Sequence, residues 1–379
     1  MILESLALSD FRGYSSLELD LDGRLSVLVG RNAQGKTNLL RSIELLGLGD
    51  AHGSWDDMIR FGGTEAIVEG SVKSSAGSEQ MIALISPSGA KLSLNGKRAT
   101  RPSWVGRLPV LFIGPDDRNQ VVGPPSVRRE MLDEMLEQSE PAYLAALREF
   151  RRALKQRNRA LEFPGSGREE VEVWDDPVTE HGGLLISHRL RILENVAPRA
   201  AAWYRELSGS EVELRVSYKS GSGLPAGNSA RECADCLRAA LAATREREMA
   251  QGTTVVGPHR DDVEIVLGAS AMRSVGSAGE VWTAILSLAL SFAERMGEKM
   301  GRLPLLLLDD VLSSLDSDRK GRLLGVLEEM TQAVLTTTQV PQPCRAQAVY
   351  EVVEHKVRKI GGRENPGKEA VGGRRAARH

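Results

Sequence analysis

The chain has 379 residues, of which 41% are hydrophobic and 26% charged, with a formal net charge of −2. This length exceeds what one hydrophobic core usually supports, and the composition, without a long apolar run, excludes a membrane-spanning helix. No signal peptide is recognisable, so we expect a cytoplasmic protein whose contacts with nucleic acid, if any, come from local basic patches.

The first thirty residues alternate like β-strands and end in the apolar run Leu25–Val29. The next eight residues fit the pattern G-x-x-x-x-G-K-[ST]: Gly30, Arg31, Asn32, Ala33, Gln34, Gly35, Lys36 and Thr37. Apolar residues at helical spacing follow from Leu39. Strand, glycine-rich loop and helix are the context of a phosphate loop. We expect Lys36 and the loop amides to bind the phosphates of ATP, and Thr37 to bind Mg²⁺.

The pattern then changes from short strands to long helices. Strands are predicted from about Glu65 to Ile113, with a hairpin turn at Asn95-Gly96. Helices dominate from Ser126 to about Ser208, with a break around Phe163-Pro164-Gly165. A strand over Glu211–Tyr218 and a charged helix to about Arg247 follow.

Cys233 and Cys236 lie in this last helix. A zinc site needs about four ligands, and neither a second pair nor a nearby histidine is visible, so we interpret the pair as two small helical residues.

The final third returns to a mixed pattern. Strand residues are predicted at Thr253 and Val263, then helix 280–297, strand Leu305–Leu308, helix 313–329 and strand Ala333–Thr336. From Lys356 to His379 the chain has eight Lys or Arg residues against two Glu. This composition favours a solvated, disordered tail, although a weak contact with phosphates is the alternative.

Leu305–Leu308 leads directly into Asp309 and Asp310. An apolar strand that ends in acids, downstream of a phosphate loop, is the Walker B pattern. We expect Asp309 to bind the metal ion and Asp310 to orient or deprotonate the attacking water, which makes Lys36, Asp309 and Asp310 the candidate catalytic residues.

Two serine-containing segments flank this strand. Ser277-Ala278-Gly279-Glu280 precedes it, and Ser313-Ser314-Leu315-Asp316 follows it. Each alone fits a helix N-cap. Their order resembles the ATPases of the ABC and SMC type. That resemblance implies that Ser277 and Gly279 of one subunit close over ATP bound by another, with Asp316 bridging the interface of an ATP-dependent homodimer.

Further motifs are similar to the bacterial RecF family of recombination mediators. They are the opening Leu6–Tyr14, the run Gly35–Leu40, and the segments Gly123–Arg129, Leu154–Asn158, Val173–Asp175, Gly257–Asp262 and Leu308–Ser313. They cover nearly the whole chain to about Thr338, and several lie in the helical insertion. The resemblance implies an α/β fold: an ABC/SMC-type P-loop ATPase head with a mixed sheet and a helical arm inserted as a second lobe.

On this basis the head comprises residues 1–114 and 251–356, the arm residues 115–250, and the basic tail residues 357–379. The resemblance also implies function: slow ATP hydrolysis with Mg²⁺, binding of duplex or gapped DNA, and help in loading the recombinase at single-stranded gaps during DNA repair and replication. RecR and RecO are the partners it implies, and no membrane is involved.

The chain departs from the family pattern at several positions. Ala33 replaces a usual glycine and costs about 1 kcal/mol if its φ is positive. Arg41 stands where Glu is typical, Glu280 replaces a usual Gln, and Thr338 or Gln339 occupies the place of a switch histidine. Two alternatives therefore stay open: the ATP-binding subunit of another ABC-type system such as a transporter, and a non-hydrolysing ATP-dependent scaffold.

Five charged or titratable residues have two interpretations each. His259, next to Arg260 and two aspartates, fits a catalytic acid or a structural ion-pair network, and we favour the network. Four arginines fit either a DNA-facing surface or ordinary solvated helix faces: Arg128, Arg129, Arg151 and Arg152.

Overall fold

The computed structural model describes residues 2–21, 23–51, 53–74, 77–163, 167–225, 227–272, 276–330, 332–342 and 346–362. The strands are β1 (Ile2–Phe11), β2 (Tyr14–Asp20), β3 (Leu25–Val29), β4 (Ala66–Ser74), β5 (Gly77–Ser86), β6 (Gly89–Leu94), β7 (Lys97–Ala99), β8 (Val110–Ile113), β9 (Leu214–Lys219), β10 (Asp262–Leu267), β11 (Ser270–Ala271), β12 (Leu305–Leu308), β13 (Ala333–Thr337), β14 (Ala348–Val353) and β15 (Lys356–Gly361). The α-helices are α1 (Lys36–Leu48), α2 (Arg101–Trp104), α3 (Asn119–Val122), α4 (Pro125–Ser139), α5 (Pro141–Glu162), α6 (Arg168–Glu172), α7 (Asp175–Ser208), α8 (Ala230–Gln251), α9 (Ala278–Met300) and α10 (Ser317–Met330).

An antiparallel sheet forms one layer of the molecule, in the order β2-β1-β4-β5-β6-β7. Its strands alternate buried and exposed residues, as in β4, because one face packs on the core. The predicted hairpin is confirmed: β6 and β7 are joined at Asn95 and Gly96, whose φ angles are 49° and 76°. Both angles are positive, as a two-residue type I′ turn requires.

A second sheet carries the phosphate loop. Its order is β15-β14-β3-β13-β12-β8, and β14, β3, β13, β12 and β8 run parallel to one another. Strand β12 is buried along its whole length, which explains its unbroken leucine run. Since Leu308 pairs with Leu335, the residues that leave β12 and β13 meet at the same edge of the sheet.

Helix α1 lies between these two sheets, and its leucines and Ile43 share a core with both. A second core joins the helices α4, α5, α7, α8 and α9 to the other face of the parallel sheet. The three-stranded sheet β11-β10-β9 packs with these helices. The mixed α/β architecture with a large helical insertion is therefore confirmed.

Most predicted elements are present, and several predicted positions are wrong, such as the start of β9, which is Leu214 instead of Glu211. Thr253 is not in a strand; only the Val263 region is. The helix predicted to begin at residue 313 begins at Ser317, because a 3-10 turn over Val311–Ser314 comes first. The start of the predicted tail is an ordered strand, β15, since its backbone pairs with β14.

Some predictions fall on residues outside the described ranges. Residues 363–379 of the predicted tail and the break at Pro164-Gly165 lie there. Cys233 and Cys236 do lie in a helix, α8. Across the described residues, none of the helices combines the length and the apolar character that a membrane crossing requires.

Candidate nucleotide site

The phosphate loop connects β3 to α1 and is packed against its surroundings through its two glycines. A Cβ on Gly30 would lie 2.3 Å from the carbonyl oxygen of Val352 in β14. Gly35 caps α1 with a φ of 103°, and a Cβ there would meet the His355 ring at 2.7 Å and the Tyr14 hydroxyl at 2.9 Å. Both positions therefore require glycine, for space and, at Gly35, for backbone conformation.

The other loop residues face solvent or brace the loop. Arg31, Asn32 and Ala33 are exposed. Ala33 has a φ of 62°, so the strain expected from the sequence is present, at a cost of about 1 kcal/mol. The turn between β14 and β15 holds Gln34: its carbonyl accepts from His355 N at 3.1 Å, and its side-chain oxygen accepts from Glu354 N at 2.7 Å.

Lys36 lies folded along the loop. Its Nζ donates to the carbonyl oxygens of Gly30 at 2.6 Å and Arg31 at 2.8 Å. Burial lowers the pKa of Lys36, while the charges of Asp310 and Asp309 act in the opposite direction. The ammonium group therefore lies at the mouth of the loop with two carboxylates nearby, which places its charge where phosphates approach a helix N-terminus.

Thr37 and Asp309 form the contact between the phosphate loop and the Walker B strand. Thr37 Oγ1 donates to Asp309 Oδ2 at 2.7 Å, and Asp309 is 4% exposed. Mg²⁺ binds oxygen atoms at about 2.0–2.1 Å in octahedral geometry, which sets adjacent ligand oxygens about 2.9 Å apart. The two oxygens therefore fit adjacent ligand positions of one magnesium ion.

Thr336, at the end of β13, fixes the Walker B acids and was not predicted. Its buried hydroxyl donates to Asp309 Oδ1 at 2.7 Å and accepts from the Asp310 N–H at 2.9 Å. Asp310 itself has a left-handed backbone with a φ of 51°. The signal available in the sequence was that β12 and β13 are consecutive parallel strands, so that the residues following them lie side by side.

Three further residues near the loop were also missed. Tyr14 donates its hydroxyl to the Gly35 carbonyl at 3.1 Å and packs edge-on against His355, with ring centroids 5.3 Å apart. Arg12 Nη1 donates to Asn38 Oδ1 at 3.2 Å, in the first turn of α1. Arg12 and Tyr14 lie in the family motif Leu6–Tyr14, but nothing in that motif indicates contact with the loop. His355 lies in the β14–β15 turn, where no local pattern marks it.

The predicted signature segment opens α9. Ser277 caps the helix: its Oγ accepts from Glu280 N at 3.3 Å, and its N–H donates to Glu280 Oε2 at 2.8 Å. Hydrogen bonds from Ser277 lower the pKa of Glu280, which keeps it ionised. The unusual Glu280 therefore completes a capping box.

Gly279 and Asp316 are brought together by an arginine. Arg319 Nη1 pairs with Asp316 Oδ2 at 3.2 Å, and a Cβ on Gly279 would lie 2.6 Å from the same nitrogen. Asp316 is also an exposed helix cap that accepts from Arg319 N at 2.9 Å, and this bond lowers its pKa. The signature and the segment after Walker B are thus neighbours, and Ser277 is exposed.

Two of the four candidate DNA-facing arginines are committed to internal contacts. Arg128 is 3% exposed and bonds both oxygens of Asp262, at 2.7 and 3.0 Å. Arg129 donates to the Asp261 carbonyl at 2.6 Å. The DNA-facing interpretation is therefore wrong for Arg128. Arg151 and Arg152 are 61% and 78% exposed, and their contacts with carboxylates are 3.5 Å or longer.

His259 has a structural role, but not through an ion pair. Its Nε2 lies 3.2 Å from the Thr254 carbonyl, and its ring packs against Phe150. Burial lowers the pKa of His259 to about 4, so the ring is neutral at pH 7. The ion-pair network lies beside it, where buried Arg157 bonds Glu248 at 2.7 Å and Asp175 at 2.9 Å.

Comparison with known proteins agrees with this geometry. Residues 2–360 match the family described as RecF/RecN/SMC N terminal domain. The DNA replication and repair protein RecF of Thermosynechococcus vestitus is 37% identical over 358 residues, covering 92% of this chain and 94% of that protein. The RecF protein of Ligilactobacillus salivarius is 35% identical over 344 residues, covering 89% and 91%.

Solved structures extend the comparison to the fold. The recombination mediator RecF with ATP superposes with a TM-score of 0.87 at 26% identity, covering 95% of this chain and 97% of that one. An SMC head bound to the C-winged helix domain of ScpA has a TM-score of 0.57 at 15% identity and shares the fold. The P-loop ATPase head of the ABC/SMC type is therefore confirmed, and the chain belongs to the RecF family of DNA replication and repair proteins.

Proposed function

We propose that this chain is an ATP-gated, DNA-binding dimer of recombinational repair and replication restart. The observation that carries the proposal is the hydrogen bond between Thr37 and Asp309, since it joins the phosphate loop and the Walker B strand into one nucleotide site. Solved RecF structures similar to this chain contain ATP or its analogue, which supports ATP as the ligand.

Each residue of the site has a specific role in the proposal. Lys36 and the loop amides bind the phosphates, and Thr37 and Asp309 hold Mg²⁺. The ion supplies charge that stabilises the transferring phosphoryl group. Asp310, next to the metal ligand Asp309, orients or deprotonates the attacking water. Since Thr336 holds the backbone of Asp310 and the carboxylate of Asp309, one hydroxyl positions both acids.

The second half of the site comes from another copy of the chain. Ser277 and Gly279 lie at the N-terminus of a 23-residue helix, whose positive end attracts a phosphate oxygen. Asp316 lies beside them through Arg319 and is exposed, so it can bridge to the opposite copy. ATP held between the two surfaces then links the dimer, and slow hydrolysis releases it.

The proposed cytoplasmic role follows from the family. The dimer binds duplex DNA at gap junctions and helps to load the recombinase on the single strand. RecO and RecR are proposed partners, since a similar RecF structure is described within the RecFOR pathway. In this scheme residues 1–114 and 251–356 form the head, residues 115–250 the arm, and the exposed Arg151 and Arg152 of the arm are available for the DNA backbone.

Sedimentation velocity with and without ATP·Mg²⁺, in the presence of a gapped duplex, tests this function. The wild-type chain should dimerise only with ATP and carry the DNA with it, whereas the Lys36→Ala variant should stay monomeric. A wild-type chain that stays monomeric and ignores DNA in the presence of ATP would refute the proposal.

A further inference from the structure

A second concave site lies where α4, α7 and α9 meet. It is a cavity of 110 Å³ whose polar lining is Ser139 at the end of α4, Glu140 directly after it, His188 and Arg191 from α7, and Arg295 and Lys299 from α9. Nothing in the function proposed above uses it. Arg295 follows Ser277 by eighteen residues on α9, which is about 27 Å of helix, so the cavity is separate from the nucleotide site.

The cations of this cavity are only partly neutralised. Lys299 pairs with Glu140 at 3.3 Å, and Arg295 approaches Glu298, outside the cavity, no closer than 3.8 Å. In the described residues Arg191 has no ion pair; its Nε donates to the Ser187 carbonyl at 3.4 Å. Two guanidinium groups and an ammonium group therefore face one carboxylate in a concave site.

His188 is the remaining polar group of the cavity. His188 packs edge-on against Tyr143, and burial lowers its pKa, with Arg191 and Lys299 adding to the effect and Glu140 opposing it. A neutral imidazole still offers one N–H donor. The cavity is thus lined by guanidinium, ammonium and imidazole donors, and its lining carries a net positive charge.

Such a site suits a tetrahedral oxyanion. A water molecule takes up about 30 Å³ of liquid, so 110 Å³ holds about three to four waters, enough room for a phosphate group. Guanidinium groups bind phosphate oxygens through two parallel N–H donors, and incomplete neutralisation in a concave site strengthens that attraction.

We propose that the α4/α7/α9 cavity binds a phosphate group, with Arg191 and Arg295 as its main donors and Lys299 as a third. The group comes either from a nucleic-acid backbone or from a free anion. The backbone source rests on the DNA binding proposed above, whereas the free-anion source does not. Because the cavity joins the arm helix α7 to the signature helix α9, its occupant stabilises their packing.

The first experiment uses inorganic phosphate as the probe. All variants carry Lys36→Ala, so that the phosphate loop does not contribute. Melting temperatures are compared in phosphate and in chloride at equal ionic strength. The matched control for Arg191→Gln/Arg295→Gln is Arg205→Gln/Arg231→Gln, which removes the same charge from exposed sites on α7 and α8.

Phosphate should raise the melting temperature of the parent and of the control pair, and the rise should be lost in Arg191→Gln/Arg295→Gln. No phosphate-specific rise in the parent, or an equal rise in both pairs, would overturn the proposal. Because the readout is thermal unfolding without nucleotide or DNA, this result stands even if the wild-type chain fails to bind DNA.

The second experiment identifies the source of the phosphate group. Duplex binding with ATP·Mg²⁺ is measured against salt concentration in chains that keep Lys36. If the backbone occupies the cavity, Arg191→Gln/Arg295→Gln should reduce the salt slope by about 1 relative to the control pair. If the slope is unchanged but the phosphate-dependent rise in melting temperature is lost, the cavity binds phosphate and its occupant is a free anion.

Discussion

Thr37 Oγ1 and Asp309 Oδ2 lie 2.7 Å apart although 272 positions separate them in the chain. This contact exists because β3 and β12 flank β13 in one parallel sheet, which brings the end of β12 to the beginning of α1. The first half of the chain supplies the phosphate loop and the last quarter the Walker B acids, so the nucleotide site is complete only when the whole head is folded.

Removing the Thr37 hydroxyl from this contact should weaken magnesium-dependent binding of ATP. Thr37→Val keeps the shape of the side chain and removes the oxygen that we assign to the metal. We expect at least a tenfold loss of ATP affinity with Mg²⁺ and a smaller loss with EDTA, since about 1.4 kcal/mol corresponds to tenfold. Isothermal titration in both buffers measures this. An equal loss in both buffers would show that Thr37 acts on the nucleotide without the metal.

Thr336→Val should damage stability and the site together. It leaves the Asp310 N–H without its acceptor and the buried Asp309 Oδ1 without its donor. The expected cost is about 1–3 kcal/mol in the free energy of unfolding, measured by urea denaturation. Thr283→Val in α9 is the control, because its hydroxyl bonds only the Gly279 carbonyl of its own helix. If both variants lose a similar free energy of unfolding, Thr336 contributes no more to stability than the helical Thr283.

Ala33→Gly should stabilise the protein. Ala33 has a φ of 62°, where glycine is free of the steric penalty, so the free energy of unfolding should rise by up to about 1 kcal/mol. Ala145→Gly, at an exposed site inside α5, should do the opposite and lower it by about 1 kcal/mol. If chemical denaturation shows that both substitutions lower the free energy of unfolding, residue 33 is not strained.

Asp310→Asn separates the hydrolysing protein from a non-hydrolysing scaffold. If Asp310 orients the water, the variant should keep ATP binding and dimerisation and lose phosphate release. Dimers formed with ATP should then persist longer, which sedimentation after dilution can follow. A scaffold would show the same low phosphate release before and after the substitution.

His259 should make stability depend on pH. Its pKa is about 4 in the folded chain and about 6.5 when unfolded, so the unfolded state binds the extra proton between these values. Stability from this group is full above pH 6.5 and is lost as pH falls toward 4, by up to about 3 kcal/mol. His259→Gln should flatten the unfolding free energy over this range. Equal slopes in both proteins would contradict the buried, neutral ring.

The sequence predicted those parts of the site that are contiguous in the chain. Gly30 to Thr37 form one loop, and Asp309 and Asp310 directly follow an apolar strand, so local patterns identify them. Thr336 and His355 were missed because they reach the site only through strand pairing. The prediction for Arg128 was wrong for a related reason. A run of charged residues on a helix does not reveal that Arg128 is buried and pairs with Asp262, on a strand distant in sequence.

The predicted element boundaries were wrong where local composition favours one structure and the tertiary contacts of the backbone favour another. The segment after Lys356 is basic, which favours solvent, yet its backbone completes the edge of the parallel sheet beside β14. Ser313 and Ser314 resemble a helix start, but the chain makes a 3-10 turn there before α10.

In the proposed dimer each nucleotide site is shared between two copies of the chain, and mixing two inactive variants tests this sharing. Lys36→Ala disables the phosphate loop, and Ser277→Arg disables the signature. In a mixed dimer both defects fall on one site and leave the other intact. DNA-stimulated ATP hydrolysis should therefore return to at most about half of the wild-type rate, since each mixed dimer keeps one intact site of two.

The control mixes Lys36→Ala with Thr37→Ala, which damages both phosphate loops and should restore nothing. Restored hydrolysis in the first mixture alone is the result that the shared site predicts. If the first mixture stays as inactive as its components while the wild-type chain hydrolyses ATP, the nucleotide site belongs to a single copy and the shared site is refuted.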